Sequence, residues 1–313
     1  MRKRAITVIT LVIVSILLWS GIIGYLKIKK NYFYPVTNRD GQTNILLLGI
    51  NGKGGGDADL TDSIMLVSLN INTPKAVMVS IPRDLWVESI KAKVNTAYHY
   101  GGGKMVREVV NEVTGQPVDY LAIIDFDGFR KVVDTIGGVY VDVKTGFTDE
   151  KFPIPGKGKD LCAGDPKYLC RYETVTFDTG RQMMDGELAL KYIRSRNAEG
   201  DEGTDFARAE RQQQFLKGLK EKLNSPEVAL NPGLLMRLYN LKDQIVTTDI
   251  EVNQYGTFLQ LAKTIDWSNL ASTAVNGNLL EHPNYHYSKQ WVLVPKEKGW
   301  GTIIKFVEDT INN

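Results

Sequence analysis

The fold is decided by residues 62–83, which read DSIMLVSLN-INTP-KAVMVSIPR. Two strand-like runs flank the INTP tetrapeptide, and so short a connection predicts an antiparallel hairpin. Centring the turn in the tetrapeptide pairs Asn70 with Lys75 and, by the same count, places Asp62 opposite Arg83. The sequence therefore predicts a carboxylate and a guanidinium side by side at the open end of the hairpin.

Such a pair has two interpretations. It is an ordinary salt bridge at a strand end, or Asp62 is a metal ligand or base beside Arg83, which then binds phosphate. The planar guanidinium donates two parallel hydrogen bonds, and this geometry suits phosphate oxygens. The hairpin residues alone leave both interpretations open.

The sequence around the hairpin predicts an α/β domain, and its 313 residues are enough for one sizeable domain or two small ones. Strands are expected at residues 44–50, 119–126 and 139–143, the last half-exposed, and helices at residues 105–113, 126–135, 185–193, 226–239 and 252–265. Residues 145–173 are polar and predicted to be irregular. They contain both cysteines, Cys162 and Cys170, for which we expect a disulfide if the domain lies outside the cell and free thiols otherwise.

A second charged stretch, residues 192–213, reads YIRSRNAEGDEGTDFARAERQQ. Four arginines flank its acidic loop, and a helix is predicted to start at Thr204 or Asp205, since either side chain can accept a hydrogen bond from the first turn. The arginines are Arg194, Arg196, Arg208 and Arg211. Steps of ~100° per residue put Arg208 and Gln212 on the same stripe as Phe215.

An arginine on that stripe needs an anionic partner, because an unpaired buried charge is costly. One interpretation is that Arg208 pairs with Asp205, Asp201 or Glu202 and holds the loop in place. The other is that the arginines, beside a helix N-terminus, bind a ligand that carries phosphates. Arg194 also suits the C-terminal end of its own helix, where the helix dipole favours a cation.

Residues 5–26 are apolar and uncharged, and at ~1.5 Å per residue they are long enough to cross a bilayer. Because no cleavage site follows, we predict a single uncleaved transmembrane helix rather than a signal peptide. Residues 1–4 are then a cytoplasmic tail, residues 27–43 a linker and residues 44–313 an extracytoplasmic domain.

Several chemistries find little support in the sequence. The chain has only three histidines, no serine in a G-x-S-x-G context and no dinucleotide-binding glycine motif after a strand. The formal net charge is +2 and no long basic run is present, so we expect no nucleic-acid partner. What remains is arginine with a few acids, the residue types used in phosphoryl transfer.

The ordered motifs GIN, LTDS, SIPRD, KVNTAY, DYLAIIDFDGF, VVDTIGGV, GRQMMDGELALKYIRSR and DFARAERQQ resemble the LytR-CpsA-Psr family over residues 44–223. The resemblance implies an α/β/α sandwich with a central mixed sheet, and leaves residues 224–313 as a helical C-terminal extension. It also implies a cell-membrane phosphotransferase that uses Mg²⁺. Such enzymes move a glycopolymer from a polyprenyl-diphosphate carrier to peptidoglycan through a phosphodiester.

The resemblance also implies roles for individual residues. Asp62 is similar to the metal-binding acid of the family, Arg83 to a diphosphate contact, and Asp205 to an acid that orients the other groups. The remaining diphosphate contacts implied are Arg194, Arg196, Arg208, Arg211 and Gln212.

The chain departs from the common family pattern at two positions that bear on metal binding and activity. Asn51 stands where many members have an acid, although its amide oxygen can still bind magnesium. Leu60 stands where many have a basic residue. Two alternatives to the transferase therefore remain: a polyprenyl-diphosphate phosphatase, and a non-catalytic regulator that binds the lipid carrier.

Overall fold

The structure is a computed structural model that describes residues 35–50, 59–73, 75–158, 160–203, 205–265 and 271–312. These residues form two compact units, which are described separately. The first unit contains the described residues up to Gly128 together with those from Leu235 onward. The second is Phe129–Leu234.

The regular elements follow in chain order. The strands are β1 Gln42–Ile50, β2 Thr61–Asn70, β3 Lys75–Ile81, β4 Trp86–Val87, β5 Ala92–Lys93, β6 Tyr120–Asp125, β7 Val139–Val143, β8 Phe147–Pro153, β9 Tyr172–Phe177, β10 Gly180–Met184, β11 Val246–Thr248, β12 Ala271–Ala274, β13 Leu280–Glu281 and β14 Val294–Pro295. The helices are α1 Ala97–Thr114, α2 Phe126–Thr135, α3 Gly186–Arg194, α4 Asp205–Asn224, α5 Pro226–Ala229, α6 Pro232–Ile245, α7 Tyr255–Thr264 and α8 Gly301–Asn312.

The first unit is built on a mixed sheet of six described strands in the order β11-β6-β1-β2-β3-β12. β1 is parallel to β6 and antiparallel to β2, β2 is antiparallel to β3, and β12 is parallel to β3. The continuous apolar runs of β1 and β6 are buried along almost their whole length, as expected for strands covered on both faces. The predicted α/β fold with a central mixed sheet is confirmed.

The hairpin register is the predicted one. Asn70 pairs with Lys75, and the ladder continues to Ile64 opposite Ile81. The Asn70 side chain fixes the turn, because its Oδ1 accepts hydrogen bonds from the backbone N–H groups of residues 72 and 73, both at 2.9 Å. The strands therefore deliver the residues just beyond their paired ends, Asp62 and Arg83, to one place.

Helices cover both faces of this sheet. On one face Leu66 belongs to an apolar core that includes Val110 of α1 and Ile303 of α8. On the other face the ring of Tyr120 meets Phe258 of α7 edge-on, with 5.2 Å between the ring centroids. The arrangement agrees with the sandwich that the family resemblance implies.

Residues 224–313 are more than the helical extension expected from the sequence. They supply β11 and β12, the two edge strands of the central sheet as far as the chain is described. These strands have three and four residues, so neither carries a period long enough to be recognised beside the neighbouring helices. The predicted helix over residues 226–239 also divides into α5 and α6, because Pro232 starts a new helix.

The predicted irregular segment 145–173 also contains regular structure. It contains β8, which pairs with β9 in antiparallel orientation. The pairing has an irregularity, a register shift between Asp149 and Phe152. That irregularity breaks the alternation by which a strand is recognised. Cys162 and Cys170 form a disulfide, the first of the two alternatives that the sequence left open.

The predicted transmembrane helix, residues 5–26, lies outside the described residues. No helix within the described ranges combines the length and apolar character needed to span a membrane. The transmembrane helix therefore stays a prediction.

The second unit contains a buried arginine, Arg211 of α4, which is 2% exposed. Its Nη1 donates to the carboxylate of Glu202 at 2.8 Å and to the Glu202 carbonyl at 2.9 Å, and its Nη2 donates to the Ser195 carbonyl at 2.6 Å. The guanidinium also lies over the Phe147 ring, 4.3 Å from its centroid. Arg211 thus links the loop before α4 to the end of α3.

Burial lowers the pKa of Arg211, and the nearby Glu202 carboxylate partly offsets that effect. The side chain remains a cation, since arginine is not deprotonated in proteins. An internal ion pair between an arginine and the acidic loop was one of the interpretations offered for Arg208. The structure shows an ion pair of this kind between Arg211 and Glu202.

We predict that Arg211→Met lowers the free energy of unfolding by about 1–3 kcal/mol, because it leaves the half-buried Glu202 carboxylate and the carbonyl of the buried Ser195 without their hydrogen-bond donor. Chemical denaturation followed by circular dichroism measures the change. Arg181→Met is the matched control: Arg181 is exposed and lies over the Tyr140 ring at 5.1 Å, so its loss should cost below about 1 kcal/mol. Equal losses in the two variants would contradict the proposed structural role of Arg211.

Candidate functional site

Four charged side chains meet at the open end of the β2–β3 hairpin. Arg83 Nη1 donates to Asp62 Oδ1 at 2.5 Å, and Arg83 Nε donates to Asp84 Oδ2 at 3.3 Å. Lys93 Nζ donates to the other Asp84 oxygen at 2.8 Å. The predicted juxtaposition of Asp62 and Arg83 is therefore confirmed, and the structure adds Asp84 and Lys93 to it.

Backbone hydrogen bonds hold this end of the hairpin in place. The segment after β3 folds back, so that Asn95 N donates to the Arg83 carbonyl at 3.2 Å and Val94 N donates to the Leu85 carbonyl at 2.8 Å. Thr61 Oγ1 donates to the Asn95 carbonyl at 3.2 Å, which ties the start of β2 to the same segment. The charged side chains thus project from a fixed backbone.

The cluster is partly open to solvent, with side-chain exposures of 27% for Asp62 and 32% for Arg83. Burial acts to lower the pKa of Arg83, but attraction to Asp62 and Asp84 outweighs it, and the net effect raises that pKa. Arg83 is therefore a cation at any physiological pH. Among the described residues only these two carboxylates accept hydrogen bonds from its guanidinium, which leaves Nη2 available to an anionic ligand.

Sequence reasoning missed three residues here. Asp84 and Lys93 complete the charge cluster, and Asp84 was already visible as the last residue of the SIPRD motif. Asn95, within KVNTAY, is 8% exposed, and its Oδ1 has no hydrogen-bond partner among the described residues. An unpaired buried amide oxygen beside a charge cluster is uncommon in proteins and marks Asn95 as part of the candidate site.

Asp62 also fits the proposed metal. Magnesium is commonly held by one or two carboxylates, with substrate phosphates and water filling the other positions, and the partly exposed Asp62 carboxylate is a donor of this type. Within the described ranges the grouped candidate ligands are Asp160, Cys162 and Cys170. Both of those cysteines are in the disulfide, which removes them as metal ligands. Asn51, the second predicted ligand, lies outside the described residues.

The other predicted contacts belong to the second unit. Arg194 is half-buried at the end of α3, as expected, with its guanidinium 5.8 Å from the centroid of the Phe152 ring. Arg196 is exposed and Arg208 is half-buried. The backbone of Asp205 and Gln212 lies in α4, and their side chains are not among those described.

Arg211 differs from the other predicted arginine contacts in its burial. The family resemblance implied a diphosphate contact, but this guanidinium is buried and donates to Glu202 and Ser195. A step of four residues, a little more than one turn, separates Arg211 from Phe215, so both side chains lie near the same helix face. Periodicity placed Arg208 on that face, whereas the structure buries Arg211 and leaves Arg208 half-buried.

Comparison with known proteins identifies the family. The model of the LytR_cpsA_psr family matches residues 25–299. TagV of Bacillus subtilis, a polyisoprenyl-teichoic acid–peptidoglycan teichoic acid transferase, is 29% identical over 252 residues, which are 78% of this chain and 59% of TagV. Regulatory protein MsrR of Staphylococcus aureus is 30% identical over 201 residues, 63% of this chain and 54% of MsrR. The chain thus spans less than two thirds of the length of these relatives.

The crystal structure of B. subtilis TagV has the same fold. It superposes with a TM-score of 0.61 at 24% sequence identity, covering 88% of this chain and 99% of the TagV chain. The family match extends over most of the chain and includes the hairpin, the charge cluster at its end and both edge strands of the central sheet. The protein belongs to the LytR-CpsA-Psr family.

Proposed function

We propose that this chain is a membrane-anchored, magnesium-dependent phosphotransferase. It moves a glycopolymer from a polyprenyl-diphosphate carrier to peptidoglycan and leaves a phosphodiester between the two. The relative TagV is named a transferase of this kind, which supports the proposal. The observation that carries it is the Asp62–Arg83 pair at the hairpin end.

In the proposed reaction a hydroxyl oxygen of the acceptor glycan forms a bond to the phosphorus that bears the glycopolymer. The bond from that phosphorus to the bridging oxygen of the diphosphate breaks, and the polyprenyl phosphate leaves with the electron pair. The hydroxyl proton passes to a base. Catalysis of this kind rests on positioning and on neutralising phosphate oxygens.

Arg83 supplies the first part of that work. Its Nη1 is held by Asp62, and Nη2 is directed to a phosphate oxygen, so the guanidinium is oriented before the substrate arrives. Asp62 would hold the metal, with Asn51 as the second proposed ligand. Magnesium, when bound, supplies further positive charge to the diphosphate.

The family resemblance also implies further contacts to the diphosphate. Arg194, Arg196 and Arg208 supply charge, Gln212 supplies hydrogen bonds, and Asp205 orients them. Arg211 is left out of this set because it is buried and its Nη1 and Nη2 donate to Glu202 and Ser195.

The substrate chemistry fits the proposed location. A polyprenyl chain resides in a membrane, so an enzyme anchored by residues 5–26 meets its substrate at the bilayer surface. We place the N-terminus in the cytoplasm and residues 44–313 outside, where a disulfide between Cys162 and Cys170 is stable.

One specific observation favours a second candidate function. MsrR, a relative of similar identity, is named a regulatory protein, which keeps a non-catalytic role for a lipid-carrier-binding chain in consideration. A phosphatase is the third possibility, in which water replaces the glycan hydroxyl as the nucleophile.

A turnover assay with a short prenyl diphosphate-linked saccharide separates the three functions. The transferase requires an acceptor glycan and magnesium for turnover, and this is the result we expect. Release of the sugar phosphate at the same rate without acceptor would identify a phosphatase. Saturable binding with no turnover under any condition would identify the regulator.

We predict that Arg83→Ala lowers the transfer rate by about 100-fold or more, because one preorganised donor to the transition state is worth about 3 kcal/mol. Arg39→Ala is the matched control. Arg39 is also an arginine paired with an aspartate, Asp119, but its side chain is 56% exposed and it lies outside the charge cluster. Wild-type rates in Arg83→Ala, or equal losses in both variants, would reject the site.

A charge swap tests whether the Asp62–Arg83 ion pair contributes only to stability or also to transfer. The double variant Asp62→Arg with Arg83→Asp keeps one salt bridge at the hairpin end but exchanges the two sides. We expect the double variant to recover part of the stability lost in each single variant, while transfer stays at the Arg83→Ala level. Recovery of both stability and transfer would show that the pair is an ordinary salt bridge.

A further inference from the structure

A loop formed by residues 282–293 lies beside the candidate site. Its ends are joined because Glu281 pairs with Val294 across the β13–β14 hairpin. The loop is also attached to the segment after Arg83, since Trp86 N donates to the Leu293 carbonyl at 2.8 Å and Leu293 N donates to the Asp84 carbonyl at 2.9 Å. Asp84 is itself a member of the charge cluster. The segment that contains Asp84 and Trp86 therefore positions both the loop and the candidate site.

This loop exposes three large aromatic side chains, which we call the aromatic patch. Tyr285 is 76% exposed, and Tyr287 and Trp291 are each 54% exposed. Single exposed aromatic residues are ordinary, but three within seven residues of one closed loop are a recognition surface. Such rings offer a large, rigid, amphipathic contact area with little loss of conformational entropy.

Packing beneath the patch fixes two of its rings. The His282 ring stacks on Trp291 with 5.0 Å between centroids and an angle of 25° between planes. The Tyr287 ring meets the buried Trp86 ring edge-on at 5.6 Å. The exposed ring surfaces are thus held in position before a ligand arrives, which lowers the entropy cost of binding.

A carboxylate at the edge of the patch accepts hydrogen bonds. Glu88 receives them from Trp86 Nε1 at 2.9 Å and from the Tyr287 hydroxyl at 3.0 Å. The bond from Trp86, followed by that from Tyr287, lowers the pKa of Glu88, so the group is a carboxylate at neutral pH. A sugar ring presents C–H groups on its faces and hydroxyls around its edge. The exposed aromatic ring faces can pack against those C–H groups, and the Glu88 carboxylate can accept hydrogen bonds from the hydroxyls.

The charge of this surface indicates whether it suits a phosphate-rich polymer or an uncharged glycan. Residues 281–293 carry one acid, Glu281, and one ammonium, Lys289, and the facing turn carries Glu88 and Lys91. The two lysines and two glutamates balance, so these side chains give no excess of cations to attract a phosphate-rich polymer. The chemistry that fits is an uncharged sugar ring.

We propose that the aromatic patch binds the sugar rings of the acceptor glycan and presents an acceptor hydroxyl toward the site at Asp62 and Arg83. This inference rests on the proposed transferase function and adds the acceptor subsite to it. The ligand of the aromatic patch is a neutral glycan strand, whereas the arginines bind the diphosphate of the lipid-linked donor.

A binding experiment tests the patch without any transfer. The probe is a β-1,4-linked N-acetylglucosamine hexamer, titrated into the full chain while tryptophan emission and heat are recorded. We expect saturable binding, and a dissociation constant at least tenfold weaker in the double variant Tyr285→Ala with Trp291→Ala. Tyr285→Ala alone, which changes a side chain with little packing, should weaken binding at least threefold. Tyr140→Ala, at a ring 48% exposed on β7, is the matched control and should bind like the wild type.

Two outcomes of the binding experiment overturn the patch. The first is an unchanged dissociation constant in the folded double variant. The second is equal competition by a poly(glycerol phosphate) chain, which would assign the surface to the donor polymer.

Transfer kinetics distinguish failure of the patch from failure of the proposed function. With the function and the patch both correct, the double variant raises KM for the acceptor about tenfold and leaves KM for the lipid donor unchanged. Transfer with an unchanged acceptor KM refutes the patch and leaves the transferase. Patch-dependent hexamer binding in a wild-type chain that transfers nothing refutes the transferase and leaves the glycan-binding site.

Discussion

The structure around the candidate site depends on the register of one hairpin. Because side chains alternate along a strand, a slip of one residue between β2 and β3 would move the apolar side chains of β2 to the opposite face of the sheet and disrupt their packing against the helices on both faces. Burial of these residues, together with the turn held by the Asn70 side chain, excludes that slip. The same register places Asp62 beside Arg83. The chemistry proposed for this chain therefore starts from a constraint that the hydrophobic core imposes.

Structural features that are set by short-range constraints could be predicted from the sequence. The hairpin register followed from a four-residue connection, and the bounds of α2 followed from a 3.6-residue period ended by Gly137 and Gly138, both at φ +81°. Asp185 caps α3 as expected, with its side chain accepting from Leu188 N at 2.8 Å. Each of these features is decided by residues close together in the chain. The core of the α/β fold and half of the charge cluster could be predicted in this way.

Features that depend on distant contacts could not be predicted. The helical period placed Arg208 on the inward stripe of α4, but the burial of Arg211 depends on where Glu202 and the Ser195 carbonyl lie in the folded loop. The short segments β11 and β12 are strands because they pair with β6 and β3, which are far away in sequence. The aromatic patch is likewise visible only once Leu293 is seen to pair with the segment after Arg83. The first unit thus joins an ionic centre to a neutral aromatic surface, one suited to phosphate and the other to sugar.

The most direct measurement is a crystal structure of the full chain with a short polyprenyl diphosphate bound. The account predicts a phosphate oxygen within about 3 Å of Arg83 Nη2, with the Arg83–Asp62 hydrogen bond retained. A diphosphate bound elsewhere, while Arg83 contacts only Asp62 and Asp84, would show that the hairpin end is a salt bridge and would contradict the account.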